Sequence, residues 1–259
     1  MRIHVWTVRI MAFVIILSFF GILFLQKCGD CFWRDILIGV FSSSIVSLTI
    51  SFVAFLQERE KILKVFYEKL GQCYFNTLVF KSEISILQSY VDAGKLHPIG
   101  EKINKAMNHA KEADDRKNEL MDYNYCDFSF FKFISKTYHF VCSVHRDLHI
   151  IKLQQATYEF NFNANKAVVM QRQNSFSELN NQKALYSDKE IEDCIDNIKI
   201  DLNKLIALAD LQIGLLDVKM AFLEKIYRPD WSWGKQKEFW ISKAEEHINL
   251  SKKLNESLE

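Results

Sequence analysis

Residues 36–56 read ILIGVFSSSIVSLTISFVAFL, a run with no charged side chain that ends abruptly at the QEREK of residues 57–61. At about 1.5 Å rise per residue, a helix of this length reaches roughly 30 Å, the hydrocarbon thickness of a bilayer. A backbone placed in lipid must satisfy its own hydrogen bonds, so the run is expected to be a transmembrane helix. Within it Gly39, Ser43, Ser47 and Ser51 recur every fourth residue and form a stripe of small and hydroxyl side chains along an otherwise bulky helix. Three uses of that stripe are open: packing against a neighbouring span, self-association, or the wall of a pore. Hydroxyls can also bond back to their own helix carbonyls, so the polarity alone does not choose among them.

Ahead of this span, residues 10–25 are also free of charge, and Val5, Trp6 and Val8 extend the apolar run while Arg9 can snorkel toward the headgroups. There is no A-x-A cleavage site, and Lys27 directly precedes Cys28, which does not suit a lipoprotein signal, so uncleaved insertion is expected. The first 56 residues then form a transmembrane hairpin with spans at about 8–26 and 36–56. Arg2, Arg9, Arg59, Lys61, Lys64 and Lys69 fall on one side of it, whereas the connecting loop carries only Lys27 and Arg34. By the positive-inside bias both termini are cytoplasmic, and in a bacterium the membrane is the inner one. Cys28 and Cys31 frame a CGDC loop on the outer side, where a periplasmic disulfide or, less simply, redox chemistry is conceivable.

With only 2 Pro and 8 Gly in 259 residues, the remainder has little material for sheet turns and much for long helices. The expected fold is all-α, the hairpin continuing into a long-helix cytoplasmic bundle or coiled coil over residues 57–259. Leu63, Phe66, Leu70, Cys73, Thr77, Phe80, Ile84, Leu87 and Val91 alternate at spacings of three and four, a heptad seam. Gly94 and the His97-Pro98 pair end that helix and begin a polar one reaching about residue 122. Asp127 is placed to cap an aromatic helix through Phe160, either central in a bundle or dipping into the lipid surface. Polar residues 161–187 read as a break. Ser187 and Glu190 make a capping box for a helix over residues 188–227. That helix shows one seam at Ile191, Ile195, Ile198, Leu202, Leu205 and Ala209, and a second at Leu208, Leu211, Leu215, Val218 and Phe222, which implies more than one neighbour. After Pro229 a last amphipathic helix follows, with Trp231, Trp233 and Trp240 placed to pin it to the bundle or to offer a binding surface.

The chain carries no P-loop, GxGxxG, GxSxG or HExxH. Cys142, His145 and His149 share one helical face and could hold a metal only with a fourth ligand from elsewhere; a polar edge of the core explains them more simply. No cofactor and no catalytic activity are expected. The net charge of +1, from 33 basic and 32 acidic residues, gives no broad basic footprint, so direct nucleic-acid binding is not expected.

Two tight spans, a seryl second span and passage through EREK into a heptad helix, over about residues 1–90, resemble the small two-span effectors of bacterial anti-phage systems, including the membrane effectors of retrons. The resemblance implies a toxin held in check by a partner and released to permeabilise the inner membrane; it carries over no site residues. Together with the residue patterns, the expectation is an inner-membrane helical effector that acts on the lipid bilayer and assembles as a homo-oligomer or with a protein partner through its cytoplasmic helices. The alternative is a membrane-anchored scaffold or sensor that recruits a cytoplasmic protein.

Overall fold

The computed structural model describes residues 2–28, 31–92, 108, 111–112, 115–120, 135–177, 187–227 and 229–256. The fold is all-α, with no strand among the described residues. Among the described residues five long helices follow in order: α1 (Arg2–Cys28), α2 (Cys31–Asp92), α3 (Lys136–Ser177), α4 (Asp188–Tyr227) and α5 (Trp233–Glu256). The sequence-predicted helix between Pro98 and residue 122 and the cap at Asp127 fall mostly or wholly outside the described residues.

α1 and the first half of α2 are each long and apolar enough to cross a membrane. α2 is 62 residues long and unbroken at Gly71. The reason lies in what Gly71 meets. A Cβ there would stand 3.1 Å from the indole nitrogen of Trp240, so the missing side chain lets α5 approach the α2 backbone closely instead of bending α2.

The chain divides into two compact units. The first comprises Met1–Phe66 and Asn124–Cys142 and holds α1, the apolar part of α2 and the first turns of α3. Here Phe66 meets Phe140 edge to face at 6.4 Å, and Arg59 donates to the Thr137 hydroxyl at 2.6 Å. Ser135 caps α3, its hydroxyl accepting the Tyr138 N–H at 3.2 Å.

The second unit comprises Tyr67–Tyr123 and Ser143–Glu259. Its core joins Phe80, Ile84, Leu87 and Val91 of α2 to Phe162 and Val169 of α3 and to Ile198, Leu202, Leu205 and Ala209 of α4. Every position of the predicted α2 seam, from Leu63 to Val91, is buried. The break expected within residues 161–187 does not start at 161: α3 runs on to Ser177, inside that stretch, because Phe162 and Val169 keep reaching the core from within the polar tract. The capping box of α4 forms as expected: the Ser187 hydroxyl accepts the Glu190 N–H at 3.3 Å, and the Glu190 carboxylate accepts the Ser187 N–H at 2.7 Å.

α5 is held by two of the tryptophans. Trp233 is buried edge-on against Tyr74 at 5.1 Å and donates to Asp217 at 2.6 Å, while Trp240 packs on Phe75 at 5.3 Å. Trp231 stays exposed.

Candidate functional site

The two apolar helices pack along a seam that alternates four and three residues on α2: Leu37, Phe41, Ser44, Leu48, Ser51 and Phe55 are buried or half-buried, with half-buried Ser47 and Ala54 at its edge. Gly21 allows a close approach, since an added Cβ there would lie 2.8 Å from a Leu37 methyl. Phe19 and Phe41 meet at 6.5 Å, and Ser18 and Ser44 are the buried hydroxyl residues of the pair. At the other end Val5 and Phe55 are buried and His4 stands 3.9 Å from Glu58.

The Gly39, Ser43, Ser47 and Ser51 stripe does not coincide with this seam. Steps of four on a helix of 3.6 residues per turn advance about 40° each, so the stripe rotates by roughly 120° from Gly39 to Ser51. Ser51 therefore joins the contact with α1, Ser47 is half-buried, Ser43 is exposed, and a Cβ on Gly39 would meet nothing within 4 Å. Ser43 donates to the Val40 carbonyl at 3.1 Å and Thr49 to the Ile45 carbonyl at 2.9 Å, so these hydroxyls are satisfied inside the helix. Around them Phe13, Phe20, Phe24, Val46 and Ile50 face outward. Cys28 closes α1 and Cys31 opens α2; their side chains, and with them the expected disulfide, lie outside the described residues.

The second face of interest is on α4, where the structure corrects the sequence reading. The second seam predicted at Leu208, Leu211, Leu215, Val218 and Phe222 is not a buried seam: Leu211 is 60 %, Val218 68 % and Phe222 40 % exposed, Leu215 is half-buried, and only Leu208 is buried. The helix instead continues its first seam through Gln212, Leu216, Met220 and Leu223. Gln212 is accommodated because its amide donates to the Thr77 hydroxyl at 2.7 Å and lies 3.7 Å from the Cys73 sulfur. A hydrophobicity pattern misses such a position, since its signal is a polar residue in heptad register with a polar partner on the facing helix.

Ionic contacts flank the core. Lys219 bridges Asp147 at 2.8 Å and donates to the Ser143 hydroxyl, while Lys237 bridges Asp217 at 2.7 Å. Desolvation works against the ionised forms of both aspartates. It is outweighed by hydrogen bonds from Lys219 and Arg146 to Asp147 and from Lys237 and Trp233 to Asp217, so both carboxyls are held below their ordinary range. Burial pushes the Tyr67 phenol up to about 12, helped by Glu224 and Tyr227 nearby. His145 and His149 lie with parallel rings 6.5 Å apart, but among the described residues no three His, Cys, Asp or Glu side chains converge as a ligand set, and Cys142 does not complete one.

Arg59 was not singled out by the sequence as anything but a topogenic charge. In the structure it is half-buried one turn past Leu56, hydrogen-bonded to Thr137, and burial draws its pKa down from the ordinary value. Comparison with protein-family models, with curated proteins and with solved structures finds no match.

Proposed function

We propose that this chain is an inner-membrane helical effector of the anti-phage type, non-catalytic, with both termini in the cytoplasm, which assembles with further copies of itself and thereby perturbs the bilayer. One observation carries the reading: two faces suited to helix packing are exposed among the described residues. On α2 these are Gly39 and Ser43, and on α4 the exposed Leu211 and Val218 with half-buried Leu215 between them, at spacings of four and three. The first allows close approach between spans, where small residues let backbones meet in lipid. The second has the a/d spacing by which helices pair in water, and exposed apolar rows of this kind mark association surfaces.

The test is membrane potential and dye entry in bacteria during induced expression. The full chain is expected to depolarise the cells, and the Ser43→Leu, Ser47→Leu double variant to insert normally without depolarising them. Unchanged depolarisation by the double variant counts against action through that face.

A second reading, an anchored scaffold, is favoured by a groove of about 380 Å³ between α2 and α5, lined by Leu78, Ser82, Ile86, Ile241, Ala244 and Ile248. Its apolar floor would suit an amphipathic helix of a partner protein. Intact potential with the full chain well expressed would select this reading over the first.

A further inference from the structure

Arg59 is a half-buried cation of the first unit. Its guanidinium donates to the Thr137 hydroxyl at 2.6 Å, its buried Nε has no partner, and among the described residues no carboxylate pairs with it. The nearest acids along the helix do not serve it, since Glu58 stands toward His4 at 3.9 Å and Glu60 is exposed. A partly desolvated arginine served by a single neutral oxygen retains donors for an anion, and its planar fork matches a phosphate in a way a lysine does not.

Its position specifies which anion. Arg59 follows the apolar run of α2 by one turn, at the depth where headgroup phosphates lie if α1 and α2 span the bilayer. Thr137 comes from the start of α3, so the hydroxyl that orients the guanidinium is fixed by a second element and not by the span itself. Lys61, Lys64 and Lys136 are exposed in the same unit and add attraction to an anionic leaflet without building a specific contact.

We propose that Arg59, oriented by Thr137, is the phosphate-binding residue of a headgroup site for an anionic phospholipid. The inference rests on the reading of α1 and α2 as spans but not on assembly or on membrane permeabilisation.

The full chain, purified in non-ionic detergent, is titrated with short-chain phosphatidylglycerol, with phosphatidylcholine of the same chain length and with inorganic phosphate, and its melting temperature is followed. Saturable stabilisation by phosphatidylglycerol alone is expected. Arg59→Gln should weaken it at least tenfold, the loss of a charge-assisted pair, whereas Lys61→Gln with Lys64→Gln should weaken it only a few-fold. Thr137→Val keeps charge and shape, so it should fold normally and bind less tightly, which preserves the test should Arg59→Gln fail to fold. Equal binding by wild type and both Arg59→Gln and Thr137→Val overturns the site. Saturation by inorganic phosphate at the same concentration assigns it to free phosphate and overturns the lipid. Release of the chain from membranes by alkaline carbonate would show instead that the membrane reading had failed.

Discussion

The contact most open to a quantitative test is the polar pair inside the α2/α4 seam. Gln212 is 3 % exposed, and its amide nitrogen relies on the Thr77 hydroxyl at 2.7 Å, with the Cys73 sulfur at 3.7 Å as a much weaker second acceptor. Thr77 in turn donates to the Cys73 carbonyl at 2.7 Å, so its oxygen is oriented to accept from Gln212. Thr77→Val preserves shape and branching but strands a buried N–H, which costs about 1–3 kcal/mol. Gln212→Leu removes the donor and leaves Thr77 satisfied within its own helix, so its cost is small. The double variant strands nothing and should return close to wild-type stability. The coupling between the two sites is therefore about 1–2 kcal/mol. For a chain of this size, about 2 kcal/mol corresponds to a fall of roughly 4–8 °C in melting temperature. Thermal unfolding of the full chain in detergent, followed by circular dichroism, measures all four corners of the cycle. An unshifted Thr77→Val variant, or a double variant no more stable than the sum of the singles, would refute the argument.

Three further expectations concern the bundle helices. Because Asp147 and Asp217 have folded pKa values below their unfolded ones, their ion pairs stabilise the bundle above the ordinary carboxylate range near pH 4 and lose that contribution as pH falls through the lower folded values. The melting temperature should stay level from about pH 7 to 5 and drop below about 4, and Asp217→Asn should flatten part of that drop. Tyr67 gives the opposite limb: its raised value contributes stability that is complete below about pH 10 and is lost as pH rises toward about 12, which absorbance of the phenolate reports. Gly214 on the outer face of α4 has nothing within 4 Å of an added Cβ, so Gly214→Ala should gain about 0.8–1 kcal/mol of helix propensity. A rise of about 2–4 °C in melting temperature would show it, and a fall would mean that the face is already covered in the protein as purified.

The legible part of the fold is the part in which packing is apolar and periodic. The seam from Leu63 to Val91 could be read because burial in a bundle selects spacings of three and four, and each of its positions is buried, including the impure Cys73 and Thr77. The capping box at Ser187 and Glu190 was legible because two orphan donors at a helix start have few local solutions. In the tract from 161 to 187 the polar composition marks where α3 ends but not how far it first continues: two buried positions, Phe162 and Val169, are enough to hold a helix whose other faces are solvated.

The same distinction explains the outer face of α4 and the packing of the two apolar helices. Leu211, Leu215, Val218 and Phe222 have the right spacing for a seam, and a sequence cannot say whether a partner for that seam lies in the same chain. Gln212 takes the core position that pattern reading would have denied it, and the apolar row is thereby rotated outward. On α2, a four-residue repeat looks like a stripe in a linear string but spirals away from a seam of period three and a half. Ser44 rather than Ser43 is consequently buried, as Ser18 is on α1, and Gly39 and Ser43 are left exposed on the outer face of α2. A helix whose polar core residue fixes its register also fixes which face it offers outward, so Thr77 and Gln212 bear on any assembly through α4. Disturbing that register should alter self-association before it alters helix content, a separation that sedimentation and circular dichroism can measure on one sample.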